Sequence, residues 1–206
     1  IVIHLAAVSH ANKSNKDPFS TFDHSFRTLE NSLDNSKNKI FNVQQFIFLS
    51  SSMVYGNFKK KVVKESDVCK PLGVYAALKL SGETIIKAYN QVFGLPYTII
   101  RPSALYGERC ISRRVGQIFI ENVLNKKEIV IQGDGKEKLD FTYIDDLVNG
   151  IVCAIKSKKS LNQTFNLTFG KGQSINKLIY FLKKNFSDIK VKYIKRDKLM
   201  PKRGTL

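Results

Sequence analysis

The sequence predicts an α/β fold: a doubly wound parallel sheet with a small α+β lobe against it. Three observations carry this reading. Short apolar runs at 1–7, 45–49 and 95–100 are separated by segments long enough for crossover helices. Two of those segments, 19–38 and 75–93, place apolar residues at helical steps. The runs end in small or turn-forming residues, Ala6-Ala7, Ser50-Ser51-Ser52 and Pro102-Ser103, which a parallel sheet would bring to one edge, where ligands sit.

Taken in order, Ile1-Val2-Ile3-His4-Leu5-Ala6-Ala7 reads as a buried strand, with His4 a packed core histidine. A polar stretch, 9–18, leads into the helix 19–38, where Phe22, Phe26, Leu29 and Leu33 share one face. Gln45-Phe46-Ile47-Phe48-Leu49 is the second strand, followed by a long polar connection, 56–74, with Pro71-Leu72-Gly73 turn chemistry. The helix 75–93 has an apolar side of Ala76, Ala77, Leu80, Ile85, Ile86 and Ala88, and Gly94 stops it. Leu95-Pro96-Tyr97-Thr98-Ile99-Ile100 is the third strand, closed by Arg101-Pro102. Beyond it, short helices (113–125, 145–156, 174–185) alternate with short strands (128–131, 140–144, 164–168, 190–194), which reads as a smaller lobe over the same sheet edge.

The 206 residues suffice for one well-buried domain, or a domain with a small lobe, and 43% apolar content is that of a globular chain. No apolar run approaches bilayer-crossing length, so a soluble protein with no membrane partner is expected, and three cysteines, which cannot all pair within one chain, read as those of a reduced, cytoplasmic protein. Cys69, Cys110 and Cys153 have no metal-ligand spacing, so no metal site is expected. The net charge of +17 comes mostly from 27 Lys against 7 Arg, spread along the chain. Runs such as Lys59-Lys60-Lys61 lack interleaved aromatics for base stacking. The charge therefore reads as solvated surface that also attracts anions, and nucleic acid is not an expected partner.

Tyr75 and Lys79, four apart at a helix start, share one face one turn apart. A tyrosine loses its proton near pH 10, so a base at neutral pH needs its phenolate stabilised by about 4 kcal/mol. An ammonium about 6 Å away supplies about 3 kcal/mol at an effective dielectric of about 20, and a second positive charge would close the gap. Ser51, ending the preceding strand, can donate a hydrogen bond to the same substrate oxygen. A Tyr-x-x-x-Lys pair alone is equally an ordinary solvated helix face. The order strand, serine, turn, tyrosine, lysine and a further strand with Arg-Pro makes it a candidate centre.

The segments His4-Leu5-Ala6-Ala7, Phe46 to Gly56 (FIFLSSSMVYG), Tyr75 to Glu83 (YAALKLSGE), Arg101 to Gly107 (RPSALYG), Gly133-Asp134-Gly135 and Asp140 to Leu147 (DFTYIDDL) occur in one order. Together they resemble the NAD-dependent epimerase/dehydratase family, the extended branch of the short-chain dehydrogenase/reductase superfamily. The resemblance implies a Rossmann-type sheet, a nucleotide-sugar substrate, and NAD as cofactor with NADP left open. It implies Ser51, Tyr75 and Lys79 as catalytic residues, with Tyr75 the acid/base and Lys79 its electrostatic partner and a ribose ligand. An oxidised nicotinamide ring would be the second positive charge. Leu5, Ala6, Ala7, Ser50, Pro102 and Ser103 would join Tyr75 and Lys79 along the cofactor. Ser51, Ser52, Tyr75, Ala104, Arg113, Arg114 and Arg203 would face substrate, although Arg113-Arg114 is equally a solvated pair. The division implied is a partial NAD(P)-binding Rossmann domain over 1–110 and, interleaved with it, a mainly substrate-binding lobe over 111–206. A homodimer stays open.

The sequence also departs from the family. By family layout roughly sixty residues would precede Ile1, carrying the first strand, the Gly-x-x-Gly-x-x-Gly phosphate turn and an acidic ribose ligand, so the chain reads as a fragment. The terminal run Met200-Pro201-Lys202-Arg203-Gly204-Thr205-Leu206 stops where the family usually continues. Leu139 stands where the family often has Arg, and Ala104 where it often has Asn. Ser52 and Met53 stand where the 4,6-dehydratases carry Asp-Glu, and Met cannot transfer a proton. Epimerisation needs only the shared trio. The expected function is therefore nucleotide-sugar epimerisation at C4 by transient oxidation with bound NAD. A dehydratase or reductase of the family is the alternative, and a non-catalytic nucleotide- or RNA-binding protein is the rival from another class.

Overall fold

The computed structural model describes residues 1–110, 113–198 and 202–206; Ile111, Ser112, Met200 and Pro201, named in the ranges above, lie outside the described residues. Strand β1 (Val2–His4) leads to α1 (Ala11–Lys16), α2 (Pro18–Phe22), a π-helical turn (Asp23–Arg27) and α3 (Thr28–Ser36). Strand β2 (Phe46–Leu49) runs into a 3-10 turn (Ser52–Tyr55), and α4 (Gly73–Phe93) returns the chain to β3 (Tyr97–Arg101). Then come β4 (Ala104–Tyr106), α5 (Val115–Leu124), β5 (Ile129–Gln132), β6 (Lys138–Tyr143) and α6 (Ile144–Lys156). The last elements are β7 (Gln163–Asn166), β8 (Gly172–Ser174), α7 (Ile175–Asn185) and β9 (Val191–Ile194).

Strands β1, β2, β3 and β7 form one parallel sheet in that order, with Val2 opposite Phe46 and Phe46 opposite Tyr97. The strand period of two sends Phe46, Phe48, Tyr97 and Ile99 to one face, where they pack with Leu29, Leu33 and Ile86 of α3 and α4. Ile47 and Ile100 point the other way, onto Leu147 of α6. Helices thus cover both faces, as the doubly wound pattern requires, and each fully buried side chain contributes about 1.5–3 kcal/mol. Gly82 lets α4 sit close, because a Cβ there would lie 2.9 Å from both Leu29 and Phe48. A second core, including Phe119, Ile129, Ile131, Leu139, Ile179 and Leu182, gathers α5 and α7 around the β5–β9 pair and β6.

Two expectations change. The strand expected over 164–168 in the lobe is β7, which joins the main sheet beside β3. The connection through α6 returns the chain parallel to β3. A buried polar group anchors its approach: Gln45 Nε2 donates to Thr98 Oγ1 (2.8 Å) and Ser160 Oγ (3.1 Å). The helix expected over 19–38 is present as continuous helical backbone over 18–36, but it contains the π-helical turn, whose extra residue rotates the apolar face. Leu29 and Leu33 reach the core, while Phe22, 46% exposed, stacks on Phe26 instead. Within this chain β1 stands last in the sheet order beside β2, with Ile1, Ile3 and Leu5 exposed. His4 alone of that run is buried, stacked against Phe46 and Phe48.

Candidate active site

The carboxyl ends of β1, β2 and β3 open into a cleft of about 510 Å³ that runs across to β5, α5 and the chain end. Strand β2 stops at Ser50-Ser51-Ser52, where backbone pairing with the β3 end continues: Ser50 N donates to Ile100 O (2.7 Å) and Ser52 N to Pro102 O (2.9 Å). Ser51 caps the 3-10 turn, its Oγ accepting from Met53 N at 3.2 Å. Gly56 ends the turn at φ 66°, and a Cβ there would strike Lys70 O at 1.9 Å. Tyr75 stands in the first turn of α4 and Lys79 one turn on, so both face the Ser51 end of the cleft.

Burial pushes the Tyr75 phenol up from its ordinary value, against the nearby Ser51 hydroxyl and the Arg114 and Arg203 charges, which favour the phenolate. Burial also brings Lys79 down to about 8, with Glu83 opposing. The Lys79 ammonium donates to Leu49 O (2.6 Å) and lies 4.8 Å over the Phe48 ring. Burial of Tyr75 disfavours its phenolate, and further positive charge brought beside it would favour that form.

Of the residues singled out in the sequence, Leu5, Ala7, Ser50, Ser51, Tyr75, Lys79, Pro102, Ser103, Ala104, Arg113, Arg114 and Arg203 line the cleft. Ala6 lines a smaller hollow beside Tyr75 and Lys79 instead. Ser52 is buried beneath the wall, its Oγ without a protein partner. The Ser50 hydroxyl turns away from the cleft and donates to Glu83 (2.5 Å). Arg113 is spoken for by Glu121 at the exposed surface, with Nε 2.8 Å from the carboxylate. The Arg203 guanidinium has a buried Nε with no protein partner, and burial lowers its pKa against the pull of Glu137.

Sequence reasoning missed Glu137 and Arg196, which pair across the cleft wall (2.5–2.7 Å). They stand 59 residues apart on separate elements, so no local spacing announces them. Among the described lining residues, Lys79, Arg113, Arg114, Arg196 and Arg203 face Glu137 as the one carboxylate. Such a wall suits an anionic ligand.

Among the described residues no helix is long and apolar enough to cross a membrane, and no cluster of His, Cys, Asp or Glu could hold a metal ion. The chain is 32% identical over 180 residues to an uncharacterised UDP-glucose epimerase of Bacillus subtilis, covering 87% of this chain and 56% of that protein. It is 32% identical to a putative UDP-glucose 4-epimerase of Methanocaldococcus jannaschii, with coverages of 89% and 60%. The chain thus spans a little over half the length of these curated relatives. The UDP-glucuronic acid 4-epimerase of Bacillus cereus, solved with UDP-glucuronic acid and NAD, superposes with a TM-score of 0.93 at 30% identity, covering all of this chain and 66% of that one. That likeness fixes the Rossmann-type fold. The model of the NAD dependent epimerase/dehydratase family matches residues 1–168, and the chain belongs to that family.

Proposed function

We propose that this chain carries the catalytic centre of a nucleotide-sugar 4-epimerase that works with NAD. The observation that carries the reading is the make-up of the cleft around Ser51. Met53, not an acid, lines it there, and Glu137, the one carboxylate in the described lining, is tied to Arg196. Removal of water from the sugar would need an acid and a base at that end, whereas epimerisation needs only Ser51, Tyr75 and Lys79. The printed names of the relatives point the same way, since UDP-sugar 4-epimerases recur among them.

In this reading Tyr75 takes the proton of the sugar C4 hydroxyl while Ser51 holds the same oxygen. NAD, when bound, supplies the hydride acceptor and donor, and its positive charge favours the Tyr75 phenolate. The residues at the Ser51 end fit its nicotinamide end: Leu5, Ala7 and Pro102 give a largely apolar wall, with Ser103 and Lys79 as polar groups. Tyr75 returns the proton once the ketone has presented its other face. Arg114 and Arg203 hold the diphosphate, and Ala104 leaves room beside Ser51. Incubation with NAD and UDP-glucose, UDP-glucuronate, UDP-N-acetylglucosamine or dTDP-glucose tests the reading. The expected result is interconversion of C4 epimers of at least one of them; a 6-deoxy-4-ketone building up instead would replace the epimerase with a dehydratase.

A further inference from the structure

We propose that Glu83 and Arg101 are positioning residues for the reaction, a buried pair that sets Ser51 and Lys79 against one another. The proposal rests on the epimerase reading above. Glu83 lies on α4 one turn after Lys79, and Arg101 ends β3; they are 1% and 4% exposed and neither lines the cleft. Glu83 Oε1 accepts from Arg101 Nε (2.9 Å) and Oε2 from Nη2 (2.6 Å). The same Oε1 accepts from Ser50 Oγ at 2.5 Å. Arg101 Nη1 donates to the Tyr55 hydroxyl (2.7 Å), which donates to Asn166 Oδ1 (2.7 Å) at the end of β7. One network therefore joins the carboxyl ends of β2, β3 and β7 to α4 and to the turn that Ser51 caps.

Stability alone does not account for this arrangement, because well-packed apolar side chains often replace a buried ion pair without loss. Ser50 is fixed twice, by its backbone bond to Ile100 and by its hydroxyl on Glu83, and that fixes the direction in which the next residue, Ser51, presents its hydroxyl. Lys79 is pinned from the other side by Leu49 O. The charged and titratable groups about Lys79 are His4 from β1, Tyr75 and Glu83 on its own helix, and Arg101 of β3 behind Glu83. Of these Glu83 is the one that favours the ammonium.

The test uses Ser50→Ala, which removes one tie and leaves the ion pair, and Glu83→Gln, which keeps the shape and removes the charge. In the intact protein, Ser50→Ala should lower kcat about tenfold with KM for the nucleotide sugar and Tm nearly unchanged, and Ser50→Thr should restore most of the rate. Glu83→Gln should move the titration of Lys79 to lower pH, read by NMR of lysine labelled with carbon-13 at the ε position and assigned by Lys79→Arg. The Lys79 titration needs no turnover, so it decides the proposal even where no nucleotide sugar is converted and the epimerase reading itself has failed. A Ser50→Ala variant with unchanged kcat, or an unmoved Lys79 titration in folded Glu83→Gln, overturns the proposal. Should Glu83→Gln not fold, Ser50→Ala decides alone.

Discussion

At one end of the cleft Ser51, Tyr75 and Lys79 stand on a strand end and the first turns of a long helix, with Ser51 Oγ accepting from Met53 N and Lys79 donating to Leu49 O. At the other end Arg113, Arg114, Arg196 and Arg203 come from a helix start, a strand exit and the chain end, with Arg113 paired to Glu121 and Arg196 to Glu137. On the proposed reading, the difference follows from the physics of each task. Proton transfer needs heavy atoms within hydrogen-bond reach, so regular elements must set the geometry. Attraction for an anion falls off slowly with distance, so loops suffice. Damage at the first end should appear in kcat, and damage at the second in KM.

The largest effect is expected at Tyr75. Tyr75→Phe should cut turnover roughly a thousandfold while leaving cofactor binding nearly intact, because the phenol oxygen moves the proton and the ring only packs. A variant that kept more than about a tenth of the rate would remove Tyr75 as acid/base.

Next comes the arginine end. Arg203→Met should raise KM for a nucleotide sugar about tenfold with kcat changed far less. Arg113→Met should change KM less than about twofold, since Glu121 already holds that guanidinium at the surface. Equal effects of the two substitutions, or a loss confined to kcat, would erase the distinction between the two ends.

The smallest effect is thermodynamic. Lys79 titrates at about 8 in the fold against 10.5 ordinarily, so between those values the unfolded chain binds more protons. Stability should therefore rise with pH through that window and fall as pH drops through about 8. Lys79→Met should flatten the dependence and raise Tm slightly at pH 7 while abolishing turnover, which thermal melts at pH 7 and 10 would show. A Tm lowered at pH 7 would mean that the Leu49 hydrogen bond outweighs the burial of charge.

How far the sequence foretells each part follows the same division. The sheet and α4 are legible because apolar runs and helical steps are local signals, and the Ser51–Tyr75–Lys79 end lies within 29 residues in family order. Helix α1 is not legible, because it buries only Ser14 and docks through polar contact, Asn15 Oδ1 accepting from Val74 N. Neither is the π-helical turn, which changes the phase of a face that the periodicity counts as continuous. Strand β7 carries no mark of which sheet it joins; that depends on the return path from α6. Glu137 and Arg196 meet only through the folding of β5, β6 and β9, so the arginine-rich wall emerges from tertiary structure.

Isotope retention tests whether hydride leaves C4 and comes back while Tyr75, Ser51 and Lys79 move the proton. A nucleotide sugar carrying deuterium at C4 is followed through many turnovers in ordinary water, with NAD and no added reduced cofactor. Transient oxidation at C4 by a retained cofactor requires both C4 epimers to keep the deuterium at C4 and the reaction to proceed without net consumption of NAD. Loss of deuterium to solvent, or a stoichiometric demand for reduced cofactor, would contradict it.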